Sequence, residues 1–180
     1  MWGGACIPVY PHFLIEVAEK MKINSDITKL ARQSNLQMPQ YCVGEALELL
    51  HSSVKSISGA NVAVLGLAFR GGVSDTRLSP TYHVIEEFMK SGCRIVLHDP
   101  YVSKDDNIPS SVMLTSKLEH ALKDADLVFI ATDHPQYAKL NEKVIAKLSS
   151  KDAVIYDGRG VLDPTRFGRM RFSKIGRKGI

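Results

Sequence analysis

The sequence predicts an α/β domain built on a parallel sheet and preceded by a helical segment. Three observations carry this prediction. Short, continuous apolar runs recur after residue 58, for example at residues 62–65, and such runs are typical of strands buried on both faces of a sheet. Segments with helical spacing stand between these runs, so strands and helices alternate. The 180 residues, 44% hydrophobic and 23% charged, are enough for one such domain with an extension.

Residues 1–58 form the first predicted unit and carry two helical patterns. Apolar residues recur at intervals of three and four within residues 11–21, which predicts one helix. A longer helix is predicted from about Pro39. Because little other chain precedes residue 58, the apolar faces of these helices must pack on the second unit, on each other or on another subunit. The stripe of the longer helix consists of Val43, Ala46, Leu47, Leu50, Val54 and Ile57.

Residues 59–180 form the second predicted unit, a Rossmann-like domain in which helices alternate with parallel strands. Ser79-Pro80 predicts the start of its first helix, since a hydroxyl cap followed by proline favours a helix N-terminus. The basic tail, residues 166–178, is predicted to be a solvated end. Further strands are predicted at 94–98, 112–114, 127–131 and 153–156, and further helices at 117–123 and 141–148.

Charge and composition argue against several classes of protein. The net charge of +4 lies partly in the basic tail and is not clustered elsewhere, so we expect no nucleic-acid partner. No apolar run approaches the roughly 18 residues that a membrane span needs, and no signal pattern opens the sequence. The three cysteines lack CxxC spacing, which predicts reduced thiols and a cytoplasmic location. The six histidines show no ligand spacing, so no metal site is predicted.

The loops that follow the strands are the predicted binding rim, because ligands of parallel sheets lie beyond the carboxyl ends of the strands. The first of these loops begins at Gly66 but is a poor dinucleotide fingerprint. Ala68 stands where the middle glycine belongs, and about ten further residues precede the helix. The loop offers Arg70 and Arg77 to phosphate or carboxylate groups instead. Alternatively, Arg77 pairs with Asp75 and braces the loop.

Cys6 is the cysteine whose sequence context suggests chemistry. It follows Gly3-Gly4 and precedes a proline, so it lies on a tight loop just before a predicted helix whose N-terminus would favour a thiolate. The alternative is a thiol that is merely packed. Cys42 and Cys93 lie in apolar contexts and are predicted to be core residues. His134 is the histidine placed to meet a ligand, or else to hydrogen-bond within its loop.

Five segments resemble the nucleotide-sugar 6-dehydrogenases, a family that includes UDP-glucose and UDP-N-acetylmannosamine dehydrogenases. Gly3-Gly4-Ala5-Cys6-Ile7-Pro8-Val9 is similar to their catalytic-cysteine segment, and its Ile-Pro-Val is closer to the UDP-N-acetylhexosamine branch. Gly66-Leu67-Ala68-Phe69-Arg70 and Ser74-Asp75-Thr76-Arg77 resemble their C-terminal-domain signature. Asp99-Pro100 and Asp157-Gly158-Arg159 fit later landmarks of the family.

The resemblance implies an NAD-dependent oxidation of the sugar's C6 alcohol to a carboxylate, which supplies precursors for polysaccharide biosynthesis. It implies that Cys6 forms a thioester and that the chain forms a homodimer through the long helix. The NAD site is expected to lie mostly in an N-terminal domain that is absent here. The resemblance assigns Gly3, Gly4, Phe69, Arg70 and Arg159 to the UDP-sugar, and Val9 and Arg77 to NAD.

Two residues depart from the family's pattern. Tyr10 stands where the family usually has an aspartate implicated in thioester hydrolysis, and a phenol with a reference pKa of about 10 is a poor base near neutral pH. Arg70 replaces the customary lysine. The chain is therefore expected to be inactive alone, as the C-terminal part of such an enzyme. The alternative is a non-catalytic module for UDP-sugar binding or dimerisation.

Overall fold

A computed structural model describes residues 1–53 and 56–176 and places a six-stranded parallel sheet at the centre of the fold. The strand order is β3-β2-β1-β4-β5-β6, and every neighbouring pair is parallel. This is the order of doubly wound dinucleotide-binding folds. The predicted Rossmann-like α/β class is therefore confirmed. The strands are β1 (Asn61–Leu65), β2 (Arg94–His98), β3 (Met113–Thr115), β4 (Leu127–Ile130), β5 (Val154–Asp157) and β6 (Phe172–Lys174).

Helices cover both faces of the sheet, and each face has its own apolar core. Residues of β1 alternate between the two cores, with Val64 in one and Leu65 in the other. The second and third helices cover the first core, and the fourth and fifth cover the other. The helices are α1 (Tyr10–Lys20), α2 (Asp26–His51), α3 (Thr81–Lys90), α4 (Leu118–Leu122) and α5 (Glu142–Leu148).

Helix α2 begins much earlier than the sequence predicted, at Asp26 rather than near Pro39, which lies inside it. Proline removes one backbone donor from a helix and costs about 3 kcal/mol in its interior. That cost is offset because the following turns bury Cys42 and Val43 completely or almost completely. At the first turn, the side-chain oxygen of Asn24 accepts the Asp26 amide at 2.7 Å.

The apolar stripe of α2 packs against the sheet of its own chain. Val43, Ala46 and Leu50 belong to the first core and are 2%, 0% and 0% exposed, and Leu47 packs against them. The part of the dimer prediction that placed the subunit interface on this stripe is therefore wrong. Because too few residues precede the sheet to form a separate core, the stripe packs on the sheet of the same chain. Val54, the fifth stripe residue, lies outside the described residues, and the unit boundary at residue 58 stays a prediction.

The basic tail contains a strand that the sequence did not predict. Phe172 and Ser173 are buried in β6, which pairs with β5, and the Phe172 ring stacks on Phe167 with centroids 5.4 Å apart. The prediction of a solvated end is therefore wrong for this segment. Its strand is only three residues long and stands among arginines, so no apolar run marks it. Arg177 and Lys178 lie outside the described residues.

Candidate functional site

The loop that carries Cys6 lies flat on the first rim loop because its two glycines have no side chains. A Cβ added to Gly4 would stand 2.8 Å from the Phe69 ring, and one added to Gly3 would stand 2.6 Å from the Leu78 carbonyl oxygen. Gly4 also has a φ of +88°, which disfavours any residue with a side chain. The Gly4 amide donates to the Arg77 carbonyl at 3.1 Å. Glycine is therefore required here for close packing against the rim.

Two further residues tie the chain's first residues to the rest of the site. Asn35, on α2, accepts the Trp2 amide at 2.8 Å and donates to the Trp2 carbonyl at 2.9 Å. Arg159 donates to the Met1 carbonyl at 2.7 Å, and its guanidinium carbon lies 5.9 Å from the centroid of the Trp2 ring. Asn35 was not singled out from the sequence, because its bonding depends on a contact between distant parts of the chain.

Cys6 is exposed at the surface of this loop, whereas Cys42 and Cys93 are buried as predicted. The Cys6 carbonyl accepts the amides of Val9 and Tyr10, which forms the turn that leads into α1. Burial raises the pKa of the Cys93 thiol to about 11. The Cys6 side chain raises the pKa of the Tyr10 phenol. The tyrosine at the family's aspartate position is thus a poor general base.

Asp99, at the end of β2, holds the first rim loop from inside the protein. One of its carboxylate oxygens accepts the amides of Leu67 and Ala68 at 2.7 and 3.0 Å, and the other accepts those of Tyr101 and Val102. Burial raises the pKa of Asp99, but hydrogen bonds from His134 and from these amides outweigh that effect and lower the pKa below its ordinary value. A fully buried carboxylate is therefore kept ionised.

Of the two interpretations that the sequence left open for His134, the structure shows hydrogen bonding within the chain. His134 is fully buried, its Nε2 lies 3.0 Å from Asp99, and its Nδ1 accepts the Gly72 amide at 3.1 Å. Because Nδ1 accepts, the proton of this tautomer is on Nε2 and is donated to the carboxylate. The side chain of Thr132 packs directly on Gly66, because a Cβ added to this glycine would stand 2.3 Å from the threonine Cβ.

Four amides of the first rim loop donate to side chains of the same chain. Those of Leu67 and Ala68 bind Asp99, that of Gly71 binds Asp133, and that of Gly72 binds His134. A dinucleotide pyrophosphate is normally cradled by such amides at a helix N-terminus, but α3 starts only at Thr81. The loop therefore does not fit the pyrophosphate of NAD, as the missing glycine predicted.

The three arginines assigned from the resemblance differ in their surroundings. Arg70 is exposed. Arg77 pairs with Asp75 at 2.6 Å and lowers the pKa of that carboxyl, so the bracing alternative is the one seen. The Arg159 side chain is 12% exposed and pairs with Asp133 at 3.1 Å. Asp157 orders the turn around Arg159 by accepting the amides of residues 159, 160 and 162.

A cavity of about 720 Å³ lies between the cysteine loop, α2, α3 and the end of the first rim loop. Val9 and Arg77, the two residues assigned to NAD, both line it. Arg32 of α2 also lines it, a residue that the helical pattern did not mark as functional. Phe69, Arg70 and Arg159 are not among its lining residues. The two residues assigned to NAD thus line this cavity, whereas Phe69, Arg70 and Arg159, assigned to the UDP-sugar, lie outside it.

Within the part of the chain that the structure describes, no cluster of three or more histidine, cysteine or carboxylate side chains could hold a metal ion. None of the described helices is long and apolar enough to cross a membrane.

Comparison with known proteins places the chain among dehydrogenases. The UDP-N-acetyl-D-mannosamine dehydrogenase of Pyrococcus horikoshii is 34% identical over 99% of this chain. The UDP-glucose 6-dehydrogenase of Rickettsia conorii is 29% identical over 95% of it. The crystal structure of the NDP-N-acetyl-D-galactosaminuronic acid dehydrogenase of Methanosarcina mazei superposes with a TM-score of 0.88, at 28% identity, over 98% of this chain and 38% of its own.

The sheet order is that of the doubly wound α/β proteins, and the cysteine loop packs on the rim at the carboxyl end of β1. The chain belongs to the UDP-glucose/GDP-mannose dehydrogenase family, because the model of that family's UDP binding domain matches residues 63–164. The resemblance found in the sequence is therefore confirmed. The chain spans 39% of the length of the Pyrococcus and Rickettsia relatives, and so corresponds to a part of those proteins.

Proposed function

We propose that the chain is the C-terminal part of an NAD-dependent UDP-N-acetyl-D-mannosamine or UDP-glucose 6-dehydrogenase. One observation carries the proposal: the exposed Cys6 thiol lies on a loop packed on Phe69, at the carboxyl end of β1 where the UDP binding domain has its rim. Phe69, Arg70 and Arg159 then hold the UDP-sugar, with the arginines directed at its phosphates. Gly3 and Gly4 let the loop approach the sugar.

In the proposed reaction, the Cys6 thiolate attacks the C6 aldehyde carbonyl of the sugar and forms a carbon–sulfur bond. Bound NAD would supply the hydride acceptor for two oxidations, that of the C6 alcohol to this aldehyde and that of the thiohemiacetal formed on Cys6, and the second would leave a thioester on Cys6. Water then attacks the thioester carbonyl, and the thiolate leaves as the carboxylate forms. Tyr10 lies at the position of the family's aspartate, and because Cys6 raises the pKa of its phenol, it is not the group that activates this water.

The residues of this chain fit only a part of NAD. Four amides of the rim loop are already bound by Asp99, Asp133 and His134, whereas Val9 and Arg77 line a cavity of about 720 Å³ that accommodates part of a nucleotide. Most of the cofactor is then held by the part of the relatives that this chain does not cover. Without that part, we expect no turnover.

A second candidate function is a non-catalytic module that binds UDP-sugars. Tyr10 favours it, because the phenol cannot replace a carboxylate as a base near neutral pH. The two candidates differ in one measurement. An enzyme part supports NAD reduction when it is joined to or mixed with the N-terminal domain of a relative, whereas a binding module does not, even when Tyr10→Asp restores the family's residue.

The proposed homodimer uses α1 and the exposed face of α2 rather than the buried stripe. Phe13, Leu14 and Val17 of α1 are 60%, 60% and 52% exposed, and Ile27 and Leu30 of α2 are 87% and 63% exposed. Exposed apolar side chains on two helices that contact each other are typical of a protein interface. The predicted cytoplasmic location stays part of this proposal.

Calorimetric titration with UDP tests the proposed substrate site. We expect the wild-type chain to bind UDP and Arg70→Met to bind it roughly tenfold to a hundredfold more weakly, as for loss of a charge-assisted hydrogen bond. Arg94→Met is the matched control, because Arg94 is also exposed but begins β2 at the opposite end of the strands. Equal loss in both variants, or no UDP binding by the wild type, would contradict the assignment.

A further inference from the structure

His134, in the segment that follows β4, joins the two sides of the first rim loop. Its Nε2 donates to the same Asp99 oxygen that accepts the amides of residues 67–68, so it shares the anchor of the loop's first residues. Its Nδ1 accepts the Gly72 amide at 3.1 Å, on the other side of residues 69–70. The imidazole therefore bridges the part of the loop that the proposed function assigns to the UDP-sugar.

The orientation of this imidazole is fixed by its surroundings. His134 is fully buried, and the centroids of the Tyr101 and Tyr137 rings lie 5.0 and 5.5 Å from that of the imidazole. A half-turn of the imidazole would place carbon atoms at the positions of both nitrogens, and both hydrogen bonds would be lost in a buried site. Each nitrogen thus keeps one partner, Asp99 for Nε2 and Gly72 for Nδ1.

The two residues before His134 hold the same loop. The Thr132 hydroxyl donates to the Ala68 carbonyl at 2.7 Å, and the Asp133 carboxylate accepts the Gly71 amide at 2.9 Å. The loop lies directly on this segment, because a Cβ added to Gly71 would stand 2.1 Å from the Asp133 carbonyl oxygen. Three consecutive side chains therefore hold the loop on both sides of its arginine, and the bond to His134 is the farthest along the loop.

We propose that His134 is a positioning residue for the UDP-sugar site and that it places Arg70 by holding the Gly72 amide. The inference rests on the proposed function, which directs Arg70 at the phosphates of UDP. A loop that is already ordered binds its ligand more tightly, because ordering it on binding costs free energy. The two nitrogens then have separate effects: Nε2 stabilises the fold through the buried Asp99, and Nδ1 sets UDP affinity through the exposed Gly72.

Two substitutions of His134 separate these effects. In His134→Asn the side-chain oxygen is two bonds from Cβ, as Nδ1 is, so the variant keeps an acceptor for the Gly72 amide and removes the donor to Asp99. In His134→Gln the side-chain nitrogen is three bonds from Cβ, as Nε2 is, so the variant keeps the donor to Asp99 and removes the acceptor for Gly72. His120→Gln, at an exposed histidine of α4, is the matched control and should behave as the wild type.

Thermal unfolding and calorimetric titration of the whole chain with UDP should rank the two variants in opposite orders. His134→Asn should have the lower Tm, because a buried carboxylate loses a donor. His134→Gln should bind UDP roughly threefold to tenfold more weakly than His134→Asn, as for the loss of one hydrogen bond. The Gly72 amide should exchange with solvent faster in His134→Gln than in the wild type and stay protected in His134→Asn.

A residue that only stabilised the fold would make UDP affinity follow Tm. Equal UDP binding by the two variants, or weaker binding by His134→Asn, would therefore overturn the positioning role while the wild type still binds UDP. A wild-type chain that binds no UDP would overturn the proposed function together with this inference, so the two failures are distinguishable.

Discussion

Replacing Asp99 by asparagine should destabilise the chain more than any other change of one atom at the rim. The carboxylate is fully buried and accepts five donors: four backbone amides and the Nε2–H of His134. An asparagine side chain must direct its NH₂ group at the donors of one oxygen, whichever way it is turned. At least two charge-assisted hydrogen bonds are lost, at about 1.5–3 kcal/mol each, so the free energy of unfolding should fall by about 3–6 kcal/mol.

Equilibrium unfolding in urea measures this loss. Asp106→Asn is the matched control, because its carboxylate is 84% exposed and pairs with the exposed Lys104, so its effect should stay within about 0.5 kcal/mol. The pH dependence gives a second check. Because hydrogen bonds lower the pKa of Asp99, its contribution is complete above the unfolded pKa of about 3.9 and is lost as pH falls through the folded value. The difference between wild type and Asp99→Asn should therefore shrink below about pH 4. A loss under about 1 kcal/mol at pH 7 would refute the role assigned to this carboxylate.

Three further predictions concern the cysteine loop and α2. Iodoacetamide should modify Cys6 first, at about the rate of an ordinary free thiol, and should modify the buried Cys42 and Cys93 only when the chain unfolds. Peptide mass mapping measures the order of labelling, and faster labelling of a buried cysteine would contradict the fold. Gly4→Ala should free the loop, so that the amide of residue 4 exchanges faster with solvent. Gly72→Ala, whose φ of +75° is similar but whose Cβ has open space, should leave that amide protected, and equal effects would contradict the packing on Phe69. Leu50→Glu should abolish cooperative urea unfolding because Leu50 is 0% exposed, whereas Leu30→Glu, at a 63% exposed position, should leave unfolding intact and yield a monomer in sedimentation. A folded Leu50→Glu chain would contradict the core described here.

The central strands could be predicted from the sequence because they are continuous apolar runs with clear ends. The predicted strand at 94–98 coincides with β2, and the helix predicted at 141–148 corresponds to α5, which Asn141 caps by accepting the Val144 amide. The start of α2 could not be predicted from the helical pattern, since Pro39 suggests a helix boundary and only the tertiary packing overrides it. Strand β6 is stabilised by pairing with β5, a contact between segments that local propensity does not show.

The exposure of Cys6 was predictable because it depends on neighbours in sequence, namely the two glycines and the proline around it. Asp99 was not, because its bonds to Leu67 and Ala68 join residues more than thirty positions apart. Arg32 was missed for a related reason: its burial follows from how α2 packs beside the cysteine loop, and an arginine on a helix is ordinarily solvated.

The central claim is that UDP binds at the rim next to the cysteine loop. Amide NMR spectra recorded during a UDP titration of the ¹⁵N-labelled chain test it most directly. The account predicts shifts concentrated at residues 3–6, 69–72 and 158–160, with the amides at the start of β1 and β2 unchanged, since they lie at the opposite end of the strands. Shifts centred on that opposite end, or an unchanged spectrum at millimolar UDP, would contradict it.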